Sequence, residues 1–406
     1  MTKYSQDKVA NIAEINSRSY SLSEKWEFII YLDTGNIAKN IVGDVQYIDT
    51  TKDDVPLRAR RKVSENDIIY STVRPSQQHY GFIKEHVKNM LVSTGFAVIS
   101  VNERKAYPKF IYYCITQNKY TEKLQTIAEQ NVSTYPTIKP SDLGNLAIPL
   151  PPLDVQKRIA GILGALDDRI DVLRRENVVL EQMAQAVFQS WFVDFDIVRA
   201  KAAGTPESEV CEKYHITPEL YALFPSALTP DNLPLGWEKK AVKDVLTLNY
   251  GKALKETDRI SGNIPVYGAN GQIGTHNKSL VSGPGIVVGR KGTVGTVIWT
   301  DYDFYPIDTS FYVTSLFQEQ SLHFLHQMLC SVNLPSLSGD SAVPGLNREA
   351  AYNQIFICPQ EEILKNFENA VTIFYQKRKT NTEQIRALSA TRDALLPKLM
   401  NGEIEV

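Results

Sequence analysis

The chain has 406 residues, is 43% hydrophobic and carries 44 Lys and Arg against 46 Asp and Glu, so it is long enough for two or three domains with real cores. A net charge of −2 and a pI near 6.4 argue against a solitary nucleic-acid binder, which neutralises phosphates with an excess of cations; they suit a reader that keeps its cations on two small faces and shares phosphate contacts with partners. Four scattered cysteines (Cys114, Cys211, Cys330, Cys358) lack CxxC spacing and so argue against a disulfide framework or zinc knuckle, no run approaches the roughly 18 apolar residues of a membrane span, and the polar opening MTKYSQDKVANIAEIN is no signal peptide, so the cytoplasm is the expected compartment.

Residues 1 to about 148 are rich in β-branched and aromatic residues with short polar punctuation. NDIIYSTVRP (Asn66–Pro75) and STGFAVISVN (Ser93–Asn102) read as strands, and Tyr107–Gln130 has helical spacing. This is a mixed α/β module. A proline-marked boundary at Pro149–Asp154 then opens a long helix with heptad patterning. With Leu163, Ile170, Asn177, Ala184 and Trp191 at a, Leu166, Leu173, Leu180 and Val187 fall at d, and only Asn177 is polar. A helix from about Asp154 to Phe195 spans on the order of 60 Å. The following Val198–Trp237 is punctuated by prolines and reads as an extended connector.

The third quarter repeats the style of the first. GPGIVVGRKGTVGTVIW (Gly283–Trp299), DTSFYVTS (Asp308–Ser315) and LHFLHQML (Leu322–Leu329) give the same order of strand, basic turn, strand and helix. A second proline boundary leads into a helix over Cys358–Met400. Its seam is weaker: Val371, Arg378, Ile385, Arg392 and Leu399 at a, with Phe367, Phe374, Asn381, Leu388 and Leu395 at d. Sliding the second half onto the first with an offset of 208 matches Pro151 to Pro359, Leu163 to Val371, Leu180 to Leu388 and Trp191 to Leu399. A period this long marks a duplicated domain pair. The expected division is 1–152 first recognition domain, 153–199 first spacer helix, 200–236 connector, 237–359 second recognition domain, 360–400 second spacer helix and 401–406 tail. A single polar Asn in each seam is a device that fixes register at some cost in stability. If the helices pair antiparallel about a centre near residue 175, Asn177 meets Asn381. The alternative is that each helix packs only on its own globular neighbour.

Catalytic motifs fail. There is no GxxxxGK[ST], and GANGQIG (Gly268–Gly274) has the wrong spacing and setting for a dinucleotide loop and reads as a turn. His323, His326 and Cys330 fall on one face of a predicted helix without a fourth ligand nearby, which favours an ordinary helix face over a metal site. What remains is recognition chemistry. GRKGTVG (Gly289–Gly295) projects Arg290, Lys291 and Thr293 from a glycine-flanked turn between strands. Arg74, Gln77, Gln78, His79 and Tyr80 in STVRPSQQHYG occupy the corresponding place in the first half, and Tyr267, Asn270, Gln272 and Lys278 surround the GANG turn. Arg suits bidentate pairing with guanine and Gln or Asn with adenine, while Lys and backbone amides hold phosphates. The duller reading of each cluster is a solvated surface edge. LRARRK (Leu57–Lys62) adds four cations beside an acidic stretch and reads equally as a salt-bridged loop.

The segments Ile148–Ile170, SWFVDFDIVRAKAAG (Ser190–Gly204), LPLGW (Leu233–Trp237), VVGRKGTVG (Val287–Gly295) and the ending LLPKLMNGEIEV (Leu395–Val406), together with the internal repeat, resemble the specificity subunit of type I restriction-modification systems of phage defence. One departure is that the first module lacks an LPxGW opening. The resemblance implies an α+β chain with a pseudo-twofold repeat: two mixed α/β target recognition domains, each reading half of a bipartite DNA site, separated by two long helices that pair as an antiparallel coiled coil. It implies partners in double-stranded DNA, two modification (methyltransferase) subunits and restriction (translocase and nuclease) subunits. S-adenosylmethionine, ATP and Mg would belong to those subunits, leaving this chain without a cofactor or catalysis of its own. Two other readings stand beside it. One is the recognition part of a fused restriction-methyltransferase enzyme, disfavoured by the lack of an NPPY-like or DPPY-like tetrapeptide; the other is an assembly scaffold that binds no DNA.

Overall fold

The computed structural model describes residues 4–130, 135–317, 321–338 and 344–406. The chain forms two compact units, one of Met1–Val172 with Gln384–Val406 and the other of Leu173–Glu383.

In the first unit, strand Phe96–Val101 pairs antiparallel with Ala13–Ile15 and with Ile68–Ser71, which pairs in turn with Tyr80–Phe82. The pleat sends successive side chains to opposite faces, and both faces are covered. Ala97 and Ile99 pack with Ile68 and Tyr70 against Phe110 and Ile111 of helix Pro108–Ile115. Phe96 and Val98 pack with Ile69 against Leu32 and Val92 of a second sheet. In that sheet Phe28–Leu32 lies parallel to Met90–Ser93 and antiparallel to Gln46–Asp49. Gln6–Lys8 pairs with Ala147–Pro149 and brings the start of the module to the strand that precedes the long helix.

The second unit repeats this wiring. Ser310–Ser315 pairs antiparallel with Leu246–Tyr250 and Gly285–Gly289, and Gly285–Gly289 with Val297–Thr300. Ile286 and Val288 face Phe324, Leu325 and Met328 of helix Leu322–Ser331, whereas Val287 faces Tyr267 and Phe304. Its second sheet has Ile264–Gly268 parallel to Tyr305–Pro306 and antiparallel to Gly271–His276, and Glu238–Ala241 pairs with Ile355–Cys358. The two halves therefore share strand order and sense despite the missing LPxGW opening. The first adds an edge strand, Ala59–Lys62, and a hairpin of Ile37–Ala38 with Ile41–Val42. That edge strand holds most of the LRARRK run, and Lys62 is paired with Glu24.

The long helices are Leu153–Phe192 and Glu361–Asn401. In the second unit they run antiparallel, because partners fall along one helix as they rise along the other: Asn177 meets Asn381 at 3.0 Å, Glu181 meets Arg378 at 3.4 Å and the Phe188 and Phe367 rings lie 6.0 Å apart. Phe367 and Leu173 are buried; Leu180, Val187 and Phe374 are partly covered. In the first unit Leu163 is buried in one apolar cluster with Leu399 and Met400, with Leu395 packed against it. Ile170 is also buried, and Leu166 and Leu388 are half-buried. The two arginines that interrupt the second seam are matched by acids of the first helix, Arg378 by Glu181 and Arg392 by Asp167.

Three sequence expectations need correction. The first long helix stops at Phe192 and not near 199, because Phe195 takes a left-handed conformation (φ 56°) and a separate helix, Asp196–Ala202, follows. The connector is not extended: it forms helices Glu207–Tyr214 and Pro218–Leu223, and Lys201 Nζ donates to the carbonyls of Tyr221 at 2.7 Å and Phe224 at 2.6 Å. Burial of aromatics drives this, since Phe224 stands edge-on to Trp191 and Trp237 packs on Phe192 and Phe195. Tyr107–Gln130 is two helices, Pro108–Ile115 and Asn118–Gln130.

Candidate nucleic-acid interface

The turn after Ile68–Ser71 is built from two left-handed residues flanking a short 3-10 helix, Pro75–Gln77: Arg74 (φ 46°) before it and Gln78 (φ 56°) after it. Proline at the first helical position fixes one torsion in advance. Arg74 is exposed, its guanidinium 5.0 Å from the ring centroid of Tyr135. Gln77 is exposed too, while Gln78 donates from Nε2 to Asn118 Oδ1 at 3.3 Å. His79 is half-buried, and burial holds its imidazole below the ordinary value, so near neutral pH it is a neutral hydrogen-bonding group and not a phosphate cation. Tyr80 does not belong to the interface as expected: it is 7% exposed and stacks on Tyr70 at 5.6 Å, because its position in strand Tyr80–Phe82 points into the core.

In the second half the basic turn follows Gly285–Gly289. A Cβ on Gly289 would lie 2.3 Å from the Thr293 carbonyl oxygen and 2.4 Å from Thr296 Oγ1, and one on Gly295 would meet the backbone of Leu334 and Pro335. Both positions require glycine for close approach. Lys291 and Thr293 are exposed and Arg290 is half-buried. The GANG segment is the predicted turn, joining Ile264–Gly268 to Gly271–His276, with Asn270, Gln272 and Lys278 exposed. Gln272 Nε2 is engaged with the Gly274 carbonyl at 3.2 Å. Thr296 Oγ1 donates to the Ala269 carbonyl, which ties this hairpin to the basic turn. Tyr267, like Tyr80, does not belong to the interface as expected: at 8% exposure it packs edge-on against Phe304, on the face of its strand turned toward the other sheet.

The expected equivalence of Arg74 and Arg290 is also corrected by the hydrogen bonds. Arg74 N–H donates to Pro136 O at 2.9 Å, and its counterpart is Gly292 N–H to Pro344 O at 3.3 Å; Thr72 O accepts from Ile138 N–H at 2.9 Å as Arg290 O accepts from Leu346 N–H at 2.8 Å. Arg74 thus matches Gly292, both left-handed, and Arg290 matches Thr72. The two arginines occupy one turn at positions two residues apart.

Sequence reasoning missed Tyr135, Tyr250 and Arg348, which lie beside the turn arginines. Each comes from a segment distant in the chain, so linear spacing carries no signal for them. Among the described residues no group of His, Cys, Asp and Glu is arranged to hold a metal ion. His326 is instead fully buried with Nδ1 2.8 Å from the Tyr375 hydroxyl. No helix among the described residues is long and apolar enough to cross a membrane.

The family described as the type I restriction modification DNA specificity domain matches residues 2–182 and again 234–385. The type I restriction enzyme HindI specificity subunit of Haemophilus influenzae is 29% identical, over 95% of this chain and 97% of that one. The MjaIX specificity subunit of Methanocaldococcus jannaschii is 24% identical, over 73% of this chain and 69% of its own length. In fold, the crystal structure of the type I restriction-modification S subunit from M. genitalium aligns over 98% of this chain and 96% of that one, with a TM-score of 0.50 at 15% identity. The duplicated topology and the duplicated match coincide, and the chain belongs to the type I restriction-modification DNA specificity family.

Proposed function

We propose that each half of this DNA specificity subunit reads one part of a bipartite DNA sequence, through the turn after Ile68–Ser71 in the first half and through the basic turn with the GANG hairpin in the second. The observation that carries this is the pairing of one strand topology with two different loop chemistries. A shared scaffold gives both readers the same approach to a duplex, and unlike side chains on it (Arg74 and Gln77 against Asn270, Lys291 and Thr293) select different bases. The long helices set the gap between the two parts, since a helix of 40 residues is about 60 Å long.

The subunit binds DNA and assembles with other subunits, and it is not itself an enzyme. We infer that its partners are two modification subunits and the restriction subunits, with S-adenosylmethionine, ATP and Mg bound there. Exposed apolar residues on the helices of the second unit (Val178, Val179, Met183 and Ile373) support a protein partner at these helices, because isolated soluble helices expose few such groups in one stretch.

The test is methylation mapping in a cell that expresses the chain with its modification subunit. A split motif with a fixed gap is expected, and exchanging residues 66–82 for those of a relative should change only one part of it. A continuous motif, or a change in both parts, would remove the two-reader assignment.

A further inference from the structure

Two arginines from different segments converge on one exposed tyrosine in the second unit. The Arg290 guanidinium carbon lies 4.8 Å from the Tyr250 ring centroid and the Arg348 carbon 5.1 Å from the same centroid, and Tyr250 is 49% exposed. The supports are rigid. Tyr250 ends strand Leu246–Tyr250 and packs on Phe311 at 5.0 Å. Arg290 Nη1 donates to the Asp308 carbonyl at 2.8 Å. Arg348 also lies over Tyr352, whose hydroxyl accepts from the Leu248 N–H at 3.0 Å.

Neither guanidinium has a carboxylate partner among the described residues. Two like charges gathered on one ring repel each other, and the ring's quadrupole offsets this only in part. An anion seated between them removes the repulsion, and exposed Lys291 beside Arg290 adds a third cation. Arg290, already spending one donor on Asp308, is less free for the two-point guanine contact that its sequence position suggests.

We propose that Arg290, Arg348 and Tyr250 form a clamp for a backbone phosphate of DNA, which fixes the duplex against the second recognition domain without reading a base. This rests on the reading of the chain as a DNA specificity subunit. Tyr250 is the positioning residue that holds the two guanidinium planes; in the first half, Arg74 lies over Tyr135.

The experiment is fluorescence anisotropy of the complex with its modification subunits on labelled duplexes that contain the mapped site or a scrambled one, at several KCl concentrations. Arg348→Gln should lower the slope of log K against log salt by about 1 and weaken both duplexes equally, about fivefold at 0.15 M salt, the loss of one released counterion. Arg348→Lys should restore the slope, and Arg290→Gln with Arg348→Gln should lower it by about 2. An unchanged slope in Arg348→Gln, or a loss confined to the specific duplex, would overturn the clamp while leaving the DNA-reading assignment intact. Absence of binding by the unaltered complex to either duplex would instead overturn the assignment, and the clamp with it.

Discussion

Asn381 Nδ2 donates to Asn177 Oδ1 at 3.0 Å, inside the seam between the two long helices of the second unit. The geometry is asymmetric. Asn177 Nδ2 reaches Thr382 Oγ1 at 3.5 Å, but Asn381 Oδ1 is buried without a partner among the described residues. Asn381 is fully buried and Asn177 is not, so the pair fixes register with one acceptor left dry, a cost of about 1–3 kcal/mol.

Replacing both by leucine should therefore raise the thermal unfolding midpoint of the full chain, since an apolar seam has no dry acceptor. The same double variant should loosen helix register, visible as heterogeneous cross-links between cysteines placed on the two helices. A lowered midpoint would show that the amide pair stabilises the coil outright.

Arg392 donates from Nη1 to Asp167 Oδ1 at 2.7 Å, and the Tyr113 hydroxyl donates to the other oxygen of the same carboxylate at 2.6 Å. The partners pull the Arg392 pKa further up, against its burial. Arg392→Met would leave a mostly buried carboxylate with one donor and should destabilise the first unit by about 1–3 kcal/mol. Chemical denaturation followed by tyrosine fluorescence checks it; a change under about 0.5 kcal/mol, the size of an exposed pair, would show that water replaces the arginine.

His326 is buried, and that burial, with Arg378 and His323 adding to it, pushes its pKa down to about 3 from 6.5. The folded state then stays neutral where the unfolded chain takes up a proton. Stability should fall as pH drops below about 6.5, by up to about 1.4 kcal/mol per pH unit from this group. In His326→Gln the loss between pH 7.5 and 5 should be smaller than in the unaltered chain, even if its stability at pH 7.5 is lower. Parallel pH profiles for the two would count against the buried neutral imidazole as the source.

Gly289→Ala should damage the second recognition turn, because the new methyl would overlap Thr293 O and Thr296 Oγ1; a cost of about 2–3 kcal/mol fits such overpacking. Methylation mapping should then show relaxed preference in one part of the split motif only. Tyr267→Phe, which keeps the buried ring, should leave both parts unchanged. A changed motif in Tyr267→Phe would return that hydroxyl to the interface.

The duplication, the order of elements, the apolar seams with their Asn residues and the GANG turn were all legible in the sequence. Each is written in spacing along the chain: strands by alternation, helices by heptads, the turn by its glycines. Even the meeting of Asn177 with Asn381 followed from an offset and two assumptions, antiparallel helices and a symmetry centre near residue 175. Tyr80 and Tyr267 were misread because alternation shows that a strand has two faces but not that both are covered. The stagger of Arg74 and Arg290 was invisible because sequence similarity aligns residue types, whereas position in the turn is set by which backbone groups pair with Pro136 and Pro344. The convergence of Arg290 and Arg348 on Tyr250, like the folding of the connector onto Trp191 and Phe192, belongs to tertiary structure alone. Such contacts join segments far apart in the chain, and only the packing of the sheets and helices that carry them brings their side chains within reach.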